Sequence, residues 1–241
     1  MHATVCDVLE PWHHGTVVRA SRYPMYFDFN AVRVEEDPAM SVDALIGFAD
    51  EALEGLDHRR VDIEPADVGA ALRPGFEERG WETQRLLWMA HQTPGTTGPA
   101  TIAVEEVAYE AVDDLRVAWL EEAFQGLDLD SYLPQAREVA HRLRAQVFAV
   151  LEGGTPVAFA QLERLGRSAE ISQVFVRADH RGRGLGTAIT RAAIQAIDDL
   201  DDLWIVADDE GRPKHLYARL GFSPAWTAVE ALRLPRGASA R

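Results

Sequence analysis

The sequence predicts an α/β (α+β) protein with a mixed central sheet flanked by helices. An apolar run of β-branched and aromatic residues at positions 171–176 predicts a buried strand. A glycine-rich turn follows it, and apolar residues then recur at three- and four-residue steps from Leu185 to Leu200, which is the spacing of one buried helix face. A second apolar run at positions 203–207 predicts the next strand. This order of strand, helix and strand indicates the fold class.

The turn between the first strand and the helix has the composition of an anion-binding loop. It consists of Arg181, Gly182, Arg183, Gly184, Leu185, Gly186 and Thr187. The first turn of a helix has free N–H groups and a favourable dipole, and glycine lets a phosphate group approach the backbone. The two arginines add charge-assisted hydrogen bonds. A plain glycine-rich connector is the alternative.

Two well-known glycine-rich loops fit this stretch poorly. A dinucleotide-binding turn of the Rossmann type would need glycine at Thr187, and no Gly-Lys-Ser/Thr ends the loop as in a Walker motif. The pattern Arg-x-x-Gly-x-Gly after a Val-Phe-Val strand instead resembles the acyl-CoA signature of the GNAT acetyltransferase superfamily. The resemblance covers residues 100–234 by motif and element order.

A second segment supports the same resemblance. Residues 216–222 read Leu-Tyr-Ala-Arg-Leu-Gly-Phe, which is similar to the family's Leu-Tyr-x-x-x-Gly-Phe segment. In the family this tyrosine commonly protonates the departing CoA thiolate, so the resemblance implies that Tyr217 is the general acid. A half-buried tyrosine that only packs on the sheet is the alternative.

The resemblance also implies how the cofactor and the amine are held. Acetyl-CoA would be the cosubstrate, without a metal, and the loop would cradle its pyrophosphate. The pantetheine arm and acyl carbonyl would meet the main chain of the signature strand at Val174, Phe175 and Val176. For the general base we choose Glu170 first, with Glu163 and His180 behind it. Glu210 departs from the pattern, because many members have asparagine there.

The elements before the signature follow the order that this fold uses. We expect a strand at 101–108, helices at 112–124 and 132–143, a hairpin of 147–151 and 157–162, and a last strand at 226–234. The Gly/Pro-rich stretch 93–99 is the expected linker between an N-terminal unit, 1–92, and the acetyltransferase domain, 100–234. Residues 235–241 are expected to form a frayed tail.

The N-terminal unit predicts a weak internal repeat of β-α-β-α-β form. Tyr217 and Gly221 lie 141 positions after Phe76 and Gly80. Extended runs are expected at 16–18 and 26–34, a helix capped by Ser41 at 41–53, a strand at 61–63, a helix at 66–79 interrupted by Pro74 and Gly75, and a strand at 81–90.

The functional residues do not repeat. Residues 35–38, Glu-Glu-Asp-Pro, stand where the later copy has its arginines and glycines, and Phe76 has no hydroxyl group. We therefore interpret this unit as a degenerate GNAT-like half. Chance similarity of the two units is the alternative.

Composition sets the remaining expectations. A formal net charge of −15 over 241 residues argues against a nucleic-acid partner. The apolar runs are too short for a membrane span, and Cys6, the only cysteine, cannot form an internal disulfide. We expect a cytoplasmic protein, a monomer or a homodimer.

The resulting function hypothesis is an enzyme that moves an acetyl group from acetyl-CoA to a primary amine by direct attack in a ternary complex. The acceptor is a small molecule or a protein amine. The alternative is a non-catalytic regulatory module that binds acyl-CoA. A Tyr217→Phe variant distinguishes the two, because only an enzyme would lose rate.

Overall fold

A computed structural model describes residues 2–91, 102–197 and 201–240. The N-terminal half contains α1 (His2–Val5), β1 (Val8–Trp12), β2 (Gly15–Arg19), β3 (Ala31–Val34), α2 (Val42–Ala52), β4 (Arg59–Ile63), α3 (Ala66–Glu78) and β5 (Glu82–His91). The C-terminal half contains β6 (Glu105–Val107), α4 (Asp113–Ala123), β7 (Phe124–Gln125), α5 (Leu129–Arg142), β8 (Gln146–Glu152), β9 (Thr155–Leu165), β10 (Ser168–Val176), α6 (Leu185–Gln195), β11 (Asp202–Asp208), α7 (Pro213–Arg219), β12 (Phe222–Arg233) and β13 (Ser239–Ala240).

Within these ranges, eleven strands form one mixed sheet in the order β1-β2-β3-β4-β12-β5-β11-β10-β9-β8-β6. Strands β3 and β4 are parallel, as are β10 and β11, and every other pairing in this sheet is antiparallel. Helices lie on the sheet as predicted. The predicted fold class is confirmed, and both halves of the chain belong to one sheet.

The two halves exchange their last strands at the centre of this sheet. Strand β12 of the C-terminal half lies between β4 and β5, and β5 of the N-terminal half lies between β11 and β12. The registers pair Val229 with Ile63 and Trp204 with Ala90, while Trp226 pairs with Trp88 at the junction. Each half therefore completes its sheet with a strand from the other.

The element order agrees with the predicted repeat. The series β3-α2-β4-α3-β5 corresponds to β10-α6-β11-α7-β12. Aromatic contacts also recur at the same spacing: the rings of Phe76 and Trp81 are 5.1 Å apart, and those of Tyr217 and Phe222 are 6.3 Å apart.

Four helices pack on one face of the sheet, which we call the α6 face. One core cluster includes Ile189 of α6 and Tyr217 of α7, and another includes Leu45 of α2 and Phe76 of α3. Helices α4 and α5 pack on the other face, the α4 face, over part of its area. Alternation along each strand assigns its side chains to one face or the other.

Helix α3 is continuous, so the predicted interruption at Pro74 and Gly75 is wrong. A proline in a helix removes one backbone hydrogen bond. The helix is nevertheless fixed on the sheet: Phe76 is fully buried, and Gly69 lies so close to β12 that an added Cβ would be 2.8 Å from Val229. Burial of this face outweighs the local preference of proline.

The extended run predicted at 26–34 is only partly correct, because Phe27–Phe29 forms a 3-10 turn before β3. Fully buried Asn30 explains the turn, since its Nδ2 atom donates to the carbonyl oxygens of Tyr23 and Tyr26, both at 2.9 Å. Such side-chain bonds to the backbone compete with strand pairing.

The ends of the C-terminal half also differ from expectation. The strand predicted at 101–108 is confined to Glu105–Val107, and Thr101 lies outside the described residues, as do the linker 93–99 and Leu200. The expected tail is not frayed throughout, because Ser239 and Ala240 pair with β7. An added Cβ on Gly126 would lie 2.3 Å from the carbonyl oxygen of Gly237, so the tail is closely packed there.

Candidate active site

The central feature of the site is a split between two parallel strands. Strands β10 and β11 pair from Ser168 with Asp202 to Ile171 with Ile205, and no later pair joins them among the described residues. Both strands nevertheless continue, β10 to Val176 and β11 to Asp208. The diverging edges form a cleft whose walls are open backbone.

A β-bulge in β10 starts at the split. The register with β9 shifts between Ile171 and Gln173, so Ser172 is the extra residue. Before the bulge Ile171 packs on the α6 face, and after it Val174 and Val176 do so. The bulge thus changes which residues face the core at the point where the strands part.

Two polar contacts on the α4 face hold the bulge. The Ser172 hydroxyl donates to Glu163 Oε1 at 3.1 Å, and the Arg116 guanidinium of α4 donates to Gln173 Oε1. Arg116 and Glu163 are both almost fully buried. The conformation of the cleft edge therefore depends on side chains of α4 and β9.

The corresponding strands of the N-terminal half have no such split. The described pairing of β3 with β4 runs to Val34 and Ile63, the last residues of both strands. The N–H of Glu64 then donates to the Val34 carbonyl at 2.9 Å. The backbone of β3 is therefore hydrogen-bonded to its parallel neighbour up to its end, whereas β10 loses this pairing after Ile171.

The loop before α6 has the conformation that its glycines allow. Gly182 and Gly184 have φ values of 77° and 81°, in the left-handed region. Gly184 is the N-cap of α6, and no side chain caps this helix. By contrast, Ser41 at the N-terminus of α2 accepts a hydrogen bond from the Ala44 N–H at 3.2 Å. The first turn of α6 therefore keeps donors that the protein's own caps do not use.

The glycines also control access to the loop. A Cβ added at Gly182 would meet no atom within 4 Å, so the backbone there is open to a bulky group. A Cβ added at Gly186 would lie 3.4 Å from Leu216, which brings α7 beside the first turn of α6.

The arginines of the loop have protein partners. Arg181 forms an ion pair with Glu122, and its Nε donates to the Val176 carbonyl at 3.0 Å. Arg183 forms an ion pair with Glu152. The same Glu152 lies 3.4 Å from His180 Nε2. These carboxylates would compete with a phosphate group for the positive charges.

Tyr217 lies on α7, next to Leu216, and is 6% exposed. Burial raises the pKa of its hydroxyl to about 12. The phenol therefore keeps its proton at neutral and moderately basic pH, as a general acid must.

Glu170 and Glu163 lie side by side on the α4 face, whereas His180 lies at the loop. The register places Glu170 of β10 between Glu163 of β9 and Trp204 of β11, just before the split. Burial, and then the charge of Glu163, raise the pKa of Glu170 to about 8. No hydrogen bond or ion pair joins its carboxylate to another described residue. Glu163 is bound by Gln161 at 2.6 Å and by Ser172, and burial raises its pKa too.

Glu210, at the position where asparagine is common in the family, pairs with the N-terminal half. Its carboxylate accepts hydrogen bonds from Arg73 of α3 at 2.8 and 3.2 Å, which hold the pKa of Glu210 below its usual range. The departure from the family pattern therefore forms a contact between the two units.

Several residues near the split were not identified from the sequence. They are Asp28, Arg116, Gln161, Trp204 and Trp226, which come from different elements. For the strand residues, periodicity indicated only which side chains share a face, and the register that brings Trp226 to Trp204 depends on the strand exchange. One tryptophan in each of β11 and β5, Trp204 and Trp88, was the available signal.

Structure comparison identifies the architecture. A functionally unknown conserved protein from Staphylococcus epidermidis ATCC 12228 superposes with a TM-score of 0.75 at 12% identity, over 95% of this chain and 94% of that one. A GCN5-related N-acetyltransferase from Kribbella flavida superposes with a TM-score of 0.52 at 22% identity, over 86% of this chain and 79% of that one. A tandem GNAT protein from the clavulanic acid biosynthesis pathway superposes with a TM-score of 0.53 at 16% identity, over 83% of this chain and 74% of that one. Identities this low show the fold alone. No curated protein matches the chain.

The fold and the split strands place the chain among the GNAT-like α/β folds that these comparisons retrieve. Residues 109–222 match the model of the acetyltransferase (GNAT) family. The match includes the split, the loop and Tyr217. Among the described residues, none of the helices has the length and apolar character needed to cross a membrane. Nor do the described side chains include a group of three or more that could hold a metal ion.

Proposed function

We propose that the chain transfers an acetyl group from acetyl-CoA to a primary amine by direct attack in a ternary complex. The observation that carries this proposal is the juxtaposition of the β10–β11 split with the uncapped N-terminus of α6. The match of residues 109–222 to the GNAT family model supports acyl transfer in general, and the donor and acceptor are our inference. The catalytic unit is the C-terminal one, 100–234, and residues 1–92 form the degenerate unit.

The residues present fit acetyl-CoA. The open backbone at Gly182 admits the pyrophosphate, and the N–H groups of the first turn of α6, from Leu185 to Thr187, donate to it. Arg181 and Arg183 leave their carboxylate partners to bind phosphate oxygens. Main-chain groups of Val174, Phe175 and Val176 bind the pantetheine arm and polarise the acyl carbonyl, and their side chains pack in the cores.

Glu170 accepts the proton that the amine must lose, directly or through a water molecule. Its position just before the split places it at the closed end of the cleft. A carboxyl with a pKa of about 8 is a base of suitable strength near neutral pH. The amine nitrogen then forms the bond to the acyl carbon, the carbon–sulfur bond breaks, and Tyr217 donates its proton to the thiolate.

A regulatory module that binds acyl-CoA without turnover is the second candidate. The ion pairs of Arg181 with Glu122 and of Arg183 with Glu152 are the observation behind it, because both arginines must leave a carboxylate before they bind phosphate oxygens. The acidic chain is proposed to act in the cytoplasm, as a monomer or homodimer, without nucleic-acid or membrane partners.

The test is calorimetric titration of acetyl-CoA and of CoA, followed by release of free thiol with a panel of amines. An Arg181→Ala/Gly184→Asp variant is expected to lose binding. The matched control, Arg22→Ala/Gly55→Asp, changes an exposed arginine and a glycine with φ of 86° far from the loop, and is expected to bind normally. Absence of binding by the unaltered protein would overturn the proposal.

A further inference from the structure

Three tryptophans form one cluster on the α4 face, beside the split. The rings of Trp88 and Trp226 stack with centroids 5.1 Å apart and planes within 11°. Trp204 meets Trp226 at 5.1 Å and 58°. Trp226 is 42% exposed, which is unusual for so large an apolar side chain. Exposed aromatic clusters of this kind mark binding surfaces.

An unpaired carboxylate adjoins this cluster. Glu170 is the cross-strand neighbour of Trp204, and the two side chains lie on the same face. Asp28 of the N-terminal half lies close enough that its charge raises the pKa of both Glu163 and Glu170. The surface is therefore built by both halves of the chain.

A buried acceptor without a donor lies at the inner end of the same surface. Gln161 is 1% exposed, and its Nε2 donates to Glu163, yet its Oε1 has no hydrogen-bond partner. A buried acceptor that lacks a donor costs stability unless a ligand or water supplies one. This oxygen and the Glu163 carboxylate are beside the bulge residue Ser172, so a donor bound here would be at the split.

The ionisable groups around Glu170 on this face include several carboxyls and two guanidinium groups. The carboxyls are those of Asp28, Asp62, Glu163, Glu170 and Glu230, and the guanidinium groups are those of Arg60 and Arg116. Arg60 pairs with three of the carboxylates, Asp28, Asp62 and Glu230. Arg116 is held by Gln173 and stacks on the Tyr109 ring at 3.7 Å. The carboxylate of Glu170 is left for a ligand.

We propose that this surface binds the acceptor, and that the acceptor is a primary amine with a second cationic nitrogen. The inference rests on the proposed function and specifies its substrate class. The reactive amine lies at the split, where Gln161 Oε1 and Glu163 accept its N–H groups. The second nitrogen lies over the rings of Trp204 and Trp226, because aromatic faces attract cations. A cation bound beside Glu163 and Glu170 favours the charged form of these carboxyls, which then complement it.

Thiol release with 1,5-diaminopentane and with pentylamine compares two chains of equal length that differ in one positive charge. The diamine is expected to have a kcat/KM roughly tenfold higher, the range of a desolvated cation–aromatic contact. Trp226→Ala is expected to lower kcat/KM for the diamine roughly tenfold and for pentylamine by a smaller factor, so that the preference for the diamine is lost. Leu9→Ala removes another exposed apolar side chain, on β1, and serves as the control. Equal rates for the two amines, or an equal effect of Trp226→Ala on both, would overturn the inference.

Calorimetry without acetyl-CoA separates this inference from the proposed function. The diamine is expected to bind the unaltered protein and the Leu9→Ala variant, and to bind Trp226→Ala roughly tenfold more weakly. If acetyl-CoA binds and both amines react equally, the acetyltransferase stands and the diamine preference fails. If acetyl-CoA does not bind but the diamine does so through Trp226, the cationic site stands and the proposed function fails.

Discussion

The Nε2 atom of His91 lies 2.8 Å from the carbonyl oxygen of Leu220, which joins β5 of the N-terminal half to the end of the helix that carries Tyr217. The carbonyl can only accept, so Nε2 donates. The imidazole also meets the Phe222 ring edge-on, with centroids 4.9 Å apart. The exchanged strand thus fixes the C-terminus of α7.

Gly221→Ala is expected to destabilise the protein more than Gly80→Ala does. Both glycines have positive φ, 98° and 74°, and occupy equivalent places after α7 and α3. An added Cβ at Gly221 would lie 2.9 Å from His91 Nε2, whereas at Gly80 it would meet nothing within 4 Å. The backbone conformation costs about 1–2 kcal/mol at either site, and the clash adds about 1–3 kcal/mol at Gly221 alone. Urea unfolding measures both; equal losses would contradict the packing argument.

Tyr217→Phe is expected to lower kcat by about a hundredfold, the lower end of the usual contribution of a general acid. The affinity for acetyl-CoA is expected to stay unchanged, because the phenyl ring still packs in the core. Single-turnover kinetics and calorimetry measure the two effects. Phe76→Tyr adds a hydroxyl group at the equivalent position of the N-terminal half. Combined with Tyr217→Phe, it should not restore activity. An unchanged rate in Tyr217→Phe would show that another group protonates the thiolate, whereas binding without turnover in the unaltered protein would support the regulatory module.

Glu152→Gln is expected to tighten acetyl-CoA binding. The substitution removes the carboxylate that pairs with Arg183 and lies near His180, so more positive charge faces the phosphate groups. Exposed ion pairs contribute about 0.2–1 kcal/mol, so the gain in affinity should be a few-fold and should shrink at high salt. Glu64→Gln, which breaks an ion pair with Arg33 in the N-terminal half, is the control. Weaker binding in Glu152→Gln would show that the carboxylate helps the site.

The stability gain from Glu170→Gln is expected to grow as the pH rises from 5 to 9. The folded protein raises the pKa of this carboxyl from 4.5 to about 8, so between these values the folded state holds a proton that the unfolded state has lost. The unfolding free energy of the unaltered protein should therefore fall through this window relative to the variant. Thermal unfolding at several pH values checks the sign, and a constant difference would contradict the raised pKa.

The same titration should appear in the activity. If Glu170 is the base, kcat/KM rises as it loses its proton near pH 8, and Glu170→Gln flattens this limb of the profile. Glu51→Gln, on α2, serves as the control. A rise that persists in Glu170→Gln would assign the base elsewhere.

Local sequence patterns predicted most of the C-terminal half. The strand that ends at Val176, the helix that begins at Leu185 and the hairpin around Gly153 all follow from periodicity and glycine, because each is decided by a few adjacent residues. Ser41 likewise caps α2 as expected. The function of the predicted site residues stays a prediction.

Long-range pairing was beyond the sequence. The local sequence does not show whether β5 pairs with β4 or crosses to β11, because Leu87 and Met89 would be buried in either arrangement. The tryptophan cluster and the contact of Glu210 with Arg73 depend on this crossing and were missed with it.

The exchanged strands have a consequence for how the chain matures. Trp88 pairs with Trp226, so β5 gains its central partner only after residues 222–232 have left the ribosome. Until then the newly made N-terminal half exposes the edges of β4 and β5, which are templates for pairing with other chains. Contacts of such large sequence separation slow folding. The two units therefore acquire their native structure together, and a chaperone that shields these edges would raise the yield during synthesis.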